Sequence, residues 1–180
     1  LALVTGLLDG QHVGAIRLPF GDRPELLRSV VAGLVDTVRP RAIHSLGTAM
    51  ACAPDLSIGD IVVNTSAHWR GRSVPIGDRM VADVLAACPH TLRARPGCSV
   101  TTDAFVDGPD QRDRLLRAFP GADIVEMEDF HLGELAAGLG FDLGSIRAVT
   151  DRGNLHDHLA RVAPASGDTL WLLRRVLRQR

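Results

Sequence analysis

A chain of 180 residues with 46% hydrophobic and 23% charged side chains can bury a core as one domain, residues 1–180, and its composition excludes a disordered chain. Twenty basic side chains against 21 acidic ones, net charge -1, leave no cationic field for a nucleic acid, so a polyanionic partner is excluded. No apolar run reaches the length of a membrane span, and Cys52, Cys88 and Cys98 are odd in number and lack zinc-site spacing. Reduced thiols in a soluble, cytoplasmic protein are the expectation.

Leu1 to Leu7 and Val13 to Leu18 are apolar runs on either side of Asp9-Gly10, a pair suited to a tight turn, and predict a β-hairpin. The chain opens on Leu1 inside that run, so a native start upstream is expected. Asp22, Pro24 and Glu25 mark a helix start, and Leu26, Leu27, Val30, Val31, Leu34, Val35 and Val38 recur on one face until Arg39-Pro40. Short apolar strands are predicted at Ala42 to Leu46, Asp60 to Asn64, Ser99 to Thr102, Asp123 to Glu126 and Ser145 to Thr150. Helices are predicted at Asp78 to Cys88, Asp110 to Phe119, Asp129 to Leu139 closed by Gly140, and Asp168 to Gln179. This alternation argues for a three-layer α/β/α fold, in which ligands gather where strands end.

Four such strand ends carry motifs. They are Gly47-Thr48-Ala49-Met50-Ala51 with the following Leu56-Ser57-Ile58-Gly59-Asp60-Ile61-Val62-Val63, then Thr102-Asp103-Ala104-Phe105-Val106, Val125-Glu126-Met127-Glu128, and Arg147-Ala148-Val149-Thr150-Asp151. In order and approximate spacing they resemble the nucleoside phosphorylase and nucleosidase superfamily, and within it the methylthioadenosine/S-adenosylhomocysteine nucleosidases and futalosine hydrolases. The resemblance runs from the opening hairpin to Asp151 and on toward the C-terminal helix. It implies a central mixed sheet that lacks the family's first strand and helix in this chain, together with the acidic residue which that strand supplies to activate water. His68 to Pro75 is also shorter than the corresponding family loop.

The implied chemistry is cleavage of the bond between C1′ and a base nitrogen of a purine-type nucleoside, through a cationic sugar and a base that gathers negative charge. By resemblance, Asp151 assists departure of the base at N7, which requires a carboxyl whose pKa is raised. Its local alternative is a turn aspartate beside Gly153-Asn154. Glu128 would hold the ribose hydroxyls and face the sugar cation, or else serve as a helix N-terminal carboxylate. Arg147, four residues before Asp151 and on the same face by strand alternation, would orient the nucleophile or pair with Glu126 or Glu128. Thr48, Ala49, Phe105, Val106, Glu126 and Met127 complete the substrate-binding set, with core packing the alternative for Phe105 and Met127.

Water is favoured over phosphate as nucleophile. Asp22 stands in the loop with which family phosphorylases contact phosphate, and Ser45 stands where they commonly carry an arginine. The alternatives are a purine nucleoside phosphorylase and a non-catalytic nucleoside-binding protein. His156-Asp157-His158 is the tightest histidine cluster, but no partner has metal-ligand spacing, and neither metal nor cofactor is expected. The resemblance implies a homodimer or larger homo-oligomer.

Overall fold

The apolar runs become strands in the computed structural model, which describes residues 3–8, 11–18, 23–77, 79–89 and 91–162. β1 (Leu3–Leu8) and β2 (Gln11–Ile16) pair antiparallel with Leu8 opposite Gln11; the expected Asp9-Gly10 turn between them lies outside the described residues. α1 (Pro24–Val38) starts on the proline, buries Leu27 and Val31 and ends at Arg39 in the left-handed conformation. The predicted start at Asp22 lies outside the described residues.

β3 (Ala42–Ala51) corrects an expectation: the predicted strand end at Leu46 is the middle of a ten-residue strand that runs on through Gly47. The stretch expected to be a shortened loop is a hairpin of β4 (Ile61–Trp69) and β5 (Arg72–Pro75), paired from Trp69↔Arg72 to Ser66↔Pro75. Its two turn residues, Arg70 (φ 46°) and Gly71 (φ 76°), both take positive φ, the geometry that matches the twist of a two-residue hairpin. The remaining elements alternate as expected: α2 (Arg79–Ala87), β6 (Ala94–Thr101), α3 (Pro109–Ala118), β7 (Ile124–Glu126), α4 (Asp129–Leu139) and β8 (Asp142–Asp151). Residues 155–162 are helical as well, whereas the predicted helix Asp168 to Gln179 lies outside the described residues.

The sheet is mixed, as expected, with strand order β5-β4-β6-β7-β3-β8. β8 then returns to pair antiparallel with β4, Ile61–Val63 against Ile146–Ala148, so five of the strands close into a ring. Strand alternation separates the two faces of that ring. Ile61, Val63, Ile146 and Ala148 point outward onto Val84 and Ala87 of α2. Val62 points the other way and meets Ala49, Ala51, Ile124 and Val149 in a cluster to which no helix contributes. α1 and α4 cover a second outer patch around Phe130, Phe141 and Leu143, and α3 a third around Met50, Val100 and Val125. Each such aliphatic side chain, fully buried, stabilises the fold by about 1.5–3 kcal/mol.

Candidate active site

Beyond its apolar cluster the ring interior turns polar, and the organising group is Arg147 of β8. It lies directly opposite Gly47 of β3, and a Cβ at position 47 would collide with its guanidinium. Only glycine leaves the arginine this room. Asp129, at the start of α4, grips that guanidinium with both oxygens, one through Nη2 and one through Nε at 3.2 Å. Nη2 also reaches Ser45 Oγ at 2.9 Å, Glu128 Oε2 at 3.3 Å and Glu126 Oε2 at 3.5 Å. Asn64 and Ser145 donate to Asp129 from β4 and β8. Burial opposes the Arg147 charge, yet Asp129, Glu128 and Glu126 outweigh it and hold its pKa above the usual value.

Glu126, at the end of β7, closes this network on the helix. Its Oε2 accepts the backbone N–H groups of Glu128 and Asp129, each at 2.6 Å, and its Oε1 accepts from Thr101. Thr101 Oγ1 in turn accepts Phe130 N at 2.9 Å. The first free N–H groups of α4 are thus satisfied by the two preceding strands rather than by a local cap. Burial first, and the negative charge of Asp129 second, push the Glu126 carboxyl up to about 8, against the pull of Arg147.

Asp151 ends β8 in a separate cluster. Its Oδ1 accepts the backbone N–H of Gly153 at 2.8 Å; its Oδ2 accepts from Thr150 Oγ1 at 3.0 Å and lies 3.3 Å from His158 Nδ1. The same Nδ1 is 3.0 Å from Thr150 Oγ1, and the imidazole meets the Phe105 ring edge-on at 5.1 Å. Burial raises the Asp151 pKa, but His158, the Gly153 N–H and Thr150 together bring it below the usual value. The free protein therefore holds a carboxylate here, where base protonation called for a raised carboxyl. The turn-aspartate reading is present too, in the bonds to Gly153 and Asn154.

Arg147 and Asp151 do not share a face as alternation alone predicts. The β3–β8 register slips once, pairing Ala49 with Val149 but Met50 with Asp151, so Thr150 is an extra residue and the alternation inverts. Arg147 follows Gly47 into the ring interior, while Asp151 follows Met50 toward the α3 side. Thr150 Oγ1 lies 3.4 Å from the Ala49 carbonyl, beside the slip.

The other expected residues differ in how they are placed. Thr48, Phe105, Met127 and Glu128 are half-buried and Ala49, Val106 and Glu126 buried; Glu128 meets Arg147 and Phe105 meets His158, whereas Thr48 pairs with Ala148 on the outward side of β3. The segment carrying Phe105 is held by Thr102 N on Glu126 O at 2.9 Å, by Gly108 N on Gly153 O at 3.0 Å, and by Trp69 Nε1 and Arg70 on Asp103 at 3.0 and 2.8 Å. Sequence reasoning missed Asp129, which reads as one more acidic residue at a helix start, and His158, which reads as part of a histidine cluster. Among the described residues no group of three metal-ligating side chains converges.

A profile of the phosphorylase superfamily matches residues 2–171. Among solved structures, the S-adenosylhomocysteine nucleosidase of Streptococcus pyogenes in complex with 5-methylthiotubericidin superposes with a TM-score of 0.90 at 23% identity, covering 98% of this chain and 83% of that one. The 5′-methylthioadenosine/S-adenosylhomocysteine nucleosidase of Neisseria meningitidis, in complex with methylthio-immucillin-A, gives 0.90 at 16% identity, with 99% and 86% covered. A futalosine hydrolase mutant of Helicobacter pylori gives 0.84 at 14% identity, with 99% and 85% covered. The motifs, the mixed sheet and the profile converge on one assignment: the chain belongs to the phosphorylase superfamily.

Proposed function

We propose that this protein is a nucleosidase that hydrolyses the N-glycosidic bond of a purine-type nucleoside. The substrate class is a 5′-modified adenosine of the kind represented by methylthioadenosine, S-adenosylhomocysteine or a futalosine-like compound. Support for hydrolysis comes from solved structures of similar fold, which are nucleosidases and a futalosine hydrolase. The observation that carries the choice of water over phosphate is the acidic surroundings of Arg147. Its Nε and Nη2 face Asp129, Glu126, Glu128 and Ser45, so an incoming phosphate would meet the Asp129 and Glu128 carboxylates around the guanidinium.

In this reading Glu128 accepts hydrogen bonds from the ribose hydroxyls and sets its charge beside the sugar cation as the C1′–N bond lengthens. Arg147 holds Glu128 in place and Phe105 packs against the base. Thr48, Ala49, Val106, Glu126 and Met127 shape the remainder of the pocket. Asp151 passes a proton to the departing purine, water oxygen bonds to C1′, and the water proton leaves to solvent. The assembly is a homodimer or larger homo-oligomer in the cytoplasm.

The test is incubation of the protein with a panel of 5′-modified and unmodified purine nucleosides, with and without inorganic phosphate, followed by chromatography of free base and sugar. Equal base release in both arms is expected, with the unphosphorylated sugar, still carrying its 5′ substituent, as the second product. Release that requires phosphate and yields a sugar phosphate would assign a phosphorylase, and saturable binding with no release would assign a binding protein.

A further inference from the structure

A proton donor that rests as a carboxylate must obtain its proton elsewhere, and one side chain stands where it could be supplied. His158 lies on the helical residues 155–162, half-buried, with Nδ1 3.3 Å from Asp151 Oδ2 and 3.0 Å from Thr150 Oγ1. Thr150 Oγ1 is itself 3.0 Å from Asp151 Oδ2, so the direct path and the path through the hydroxyl both end on the same carboxylate oxygen. Phe105 closes the other side of the imidazole, edge-on at 5.1 Å. His158 thus sits between the carboxylate and the side chain assigned to the base.

We propose that His158 is the proton-bearing partner of Asp151, a positioning residue whose imidazolium passes a proton through that carboxylate to the departing purine. The inference rests on the nucleosidase reading and on the role given there to Asp151. The imidazolium N–H breaks as an Asp151 O–H forms, and that O–H breaks as a ring nitrogen of the base takes the proton. The electron pair of the C1′–N bond leaves with the base. Water oxygen bonds to C1′ and releases its own proton to solvent, which then reprotonates the imidazole.

Among the described residues, these charged groups lie on or beside the elements around His158. Asp151 on β8 is its ion-pair partner. Asp107, after β6, accepts Leu155 N at 3.2 Å at the start of the same helical segment. Arg112 of α3 packs beside Gly153, where an added Cβ would lie 3.4 Å from its Cδ. Asp157 is the sequence neighbour, its N–H held by Asn154 Oδ1 at 3.2 Å. Arg152 turns away to donate to Leu56 O.

The experiment is the pH dependence of kcat for release of base by the wild type, His158→Gln and Asp151→Asn. The wild-type rate should fall as pH rises through the imidazole range. In His158→Gln the inflection in the imidazole range should vanish and the rate fall roughly a hundredfold, the lower end of what general acid catalysis contributes. A His158→Gln profile that keeps the wild-type limb, at any height, would overturn the proposal, because a purely structural histidine lowers the rate without altering its titration. A wild type that releases no base, or an Asp151→Asn variant with full activity, would instead overturn the underlying reading. A second measurement needs no substitution at position 158: the chemical shift of the His158 ring nitrogen Nδ1, followed by NMR at fixed pH, should change in Asp151→Asn, and an unchanged signal rejects the pairing.

Discussion

Gly47 is conspicuous in sequence for the wrong reason. A glycine after a short apolar run reads as a turn, whereas its function in the fold is to leave space for the Arg147 guanidinium across the β3–β8 pair. Gly47→Ala should therefore destabilise the protein by about 1–3 kcal/mol, the usual cost of forcing an extra carbon into a filled interior. Urea denaturation would measure it, and an unchanged midpoint would mean that Arg147 can retreat. Asp129 was illegible for a related reason. Its partner Arg147 lies 18 residues away on another element, and nothing in a run of Glu128-Asp129 distinguishes a helix-dipole aspartate from one that anchors a buried guanidinium. Glu126, Glu128, Arg147 and Asp151 were legible because each sits inside a motif quoted whole. Their mutual arrangement was not, since the inversion at Thr150 depends on strand register that local sequence does not encode.

At the scale of elements, the junction of β7 and α4 carries a titration with a definite sign. Glu126 has its carboxyl pKa pushed up to about 8 in the folded protein, from an ordinary value of 4.5. Between those values the native state holds a proton that the unfolded chain has lost, so this group's contribution is full below 4.5 and declines as pH rises toward 8. Thermal melts from pH 5 to 8 should show the wild type losing stability relative to Glu126→Gln, whose amide cannot ionise. Parallel curves would remove Glu126 as the source. Asp151 contributes with the opposite sign in a separate window, since its depressed pKa gives stability that is lost only as the solution is made acidic. Most element types were readable from periodicity and caps, and the helix at Asp129–Leu139 agrees with expectation at both ends. The β4–β5 hairpin escaped because its turn is Arg70-Gly71 rather than the more usual asparagine or aspartate before glycine.

Over the whole molecule, the alternation of strands and helices predicted the class of fold but not the closure of its sheet. That closure rests on three residue pairs between β4 and β8, strands that also have their own parallel partners, and no periodicity distinguishes a strand with two neighbours from one that seals a ring. Native-state hydrogen exchange should find the amides of Ile61–Val63 and Ile146–Ala148 among the slowest. β1 and β2 should exchange fastest among the strands, since they pair only with each other among the described residues. Comparable protection in the two sets would contradict this order.

The ring also fixes when the protein can become stable during its synthesis. Ala42 of β3 pairs with Asp142 of β8, and β4 waits for the same strand, so two of the ring's seams stay open until nearly all the described chain has been made. Until β8 arrives, the carboxylates of Glu126, Glu128 and Asp129 lack Arg147, and Ile61 and Val63 of β4 lack Ile146 and Ala148 beside them. Such late, long-range closure slows folding and leaves the nascent chain open to misassociation. The strand that brings the arginine to the site is also the strand whose emergence commits the chain to its fold.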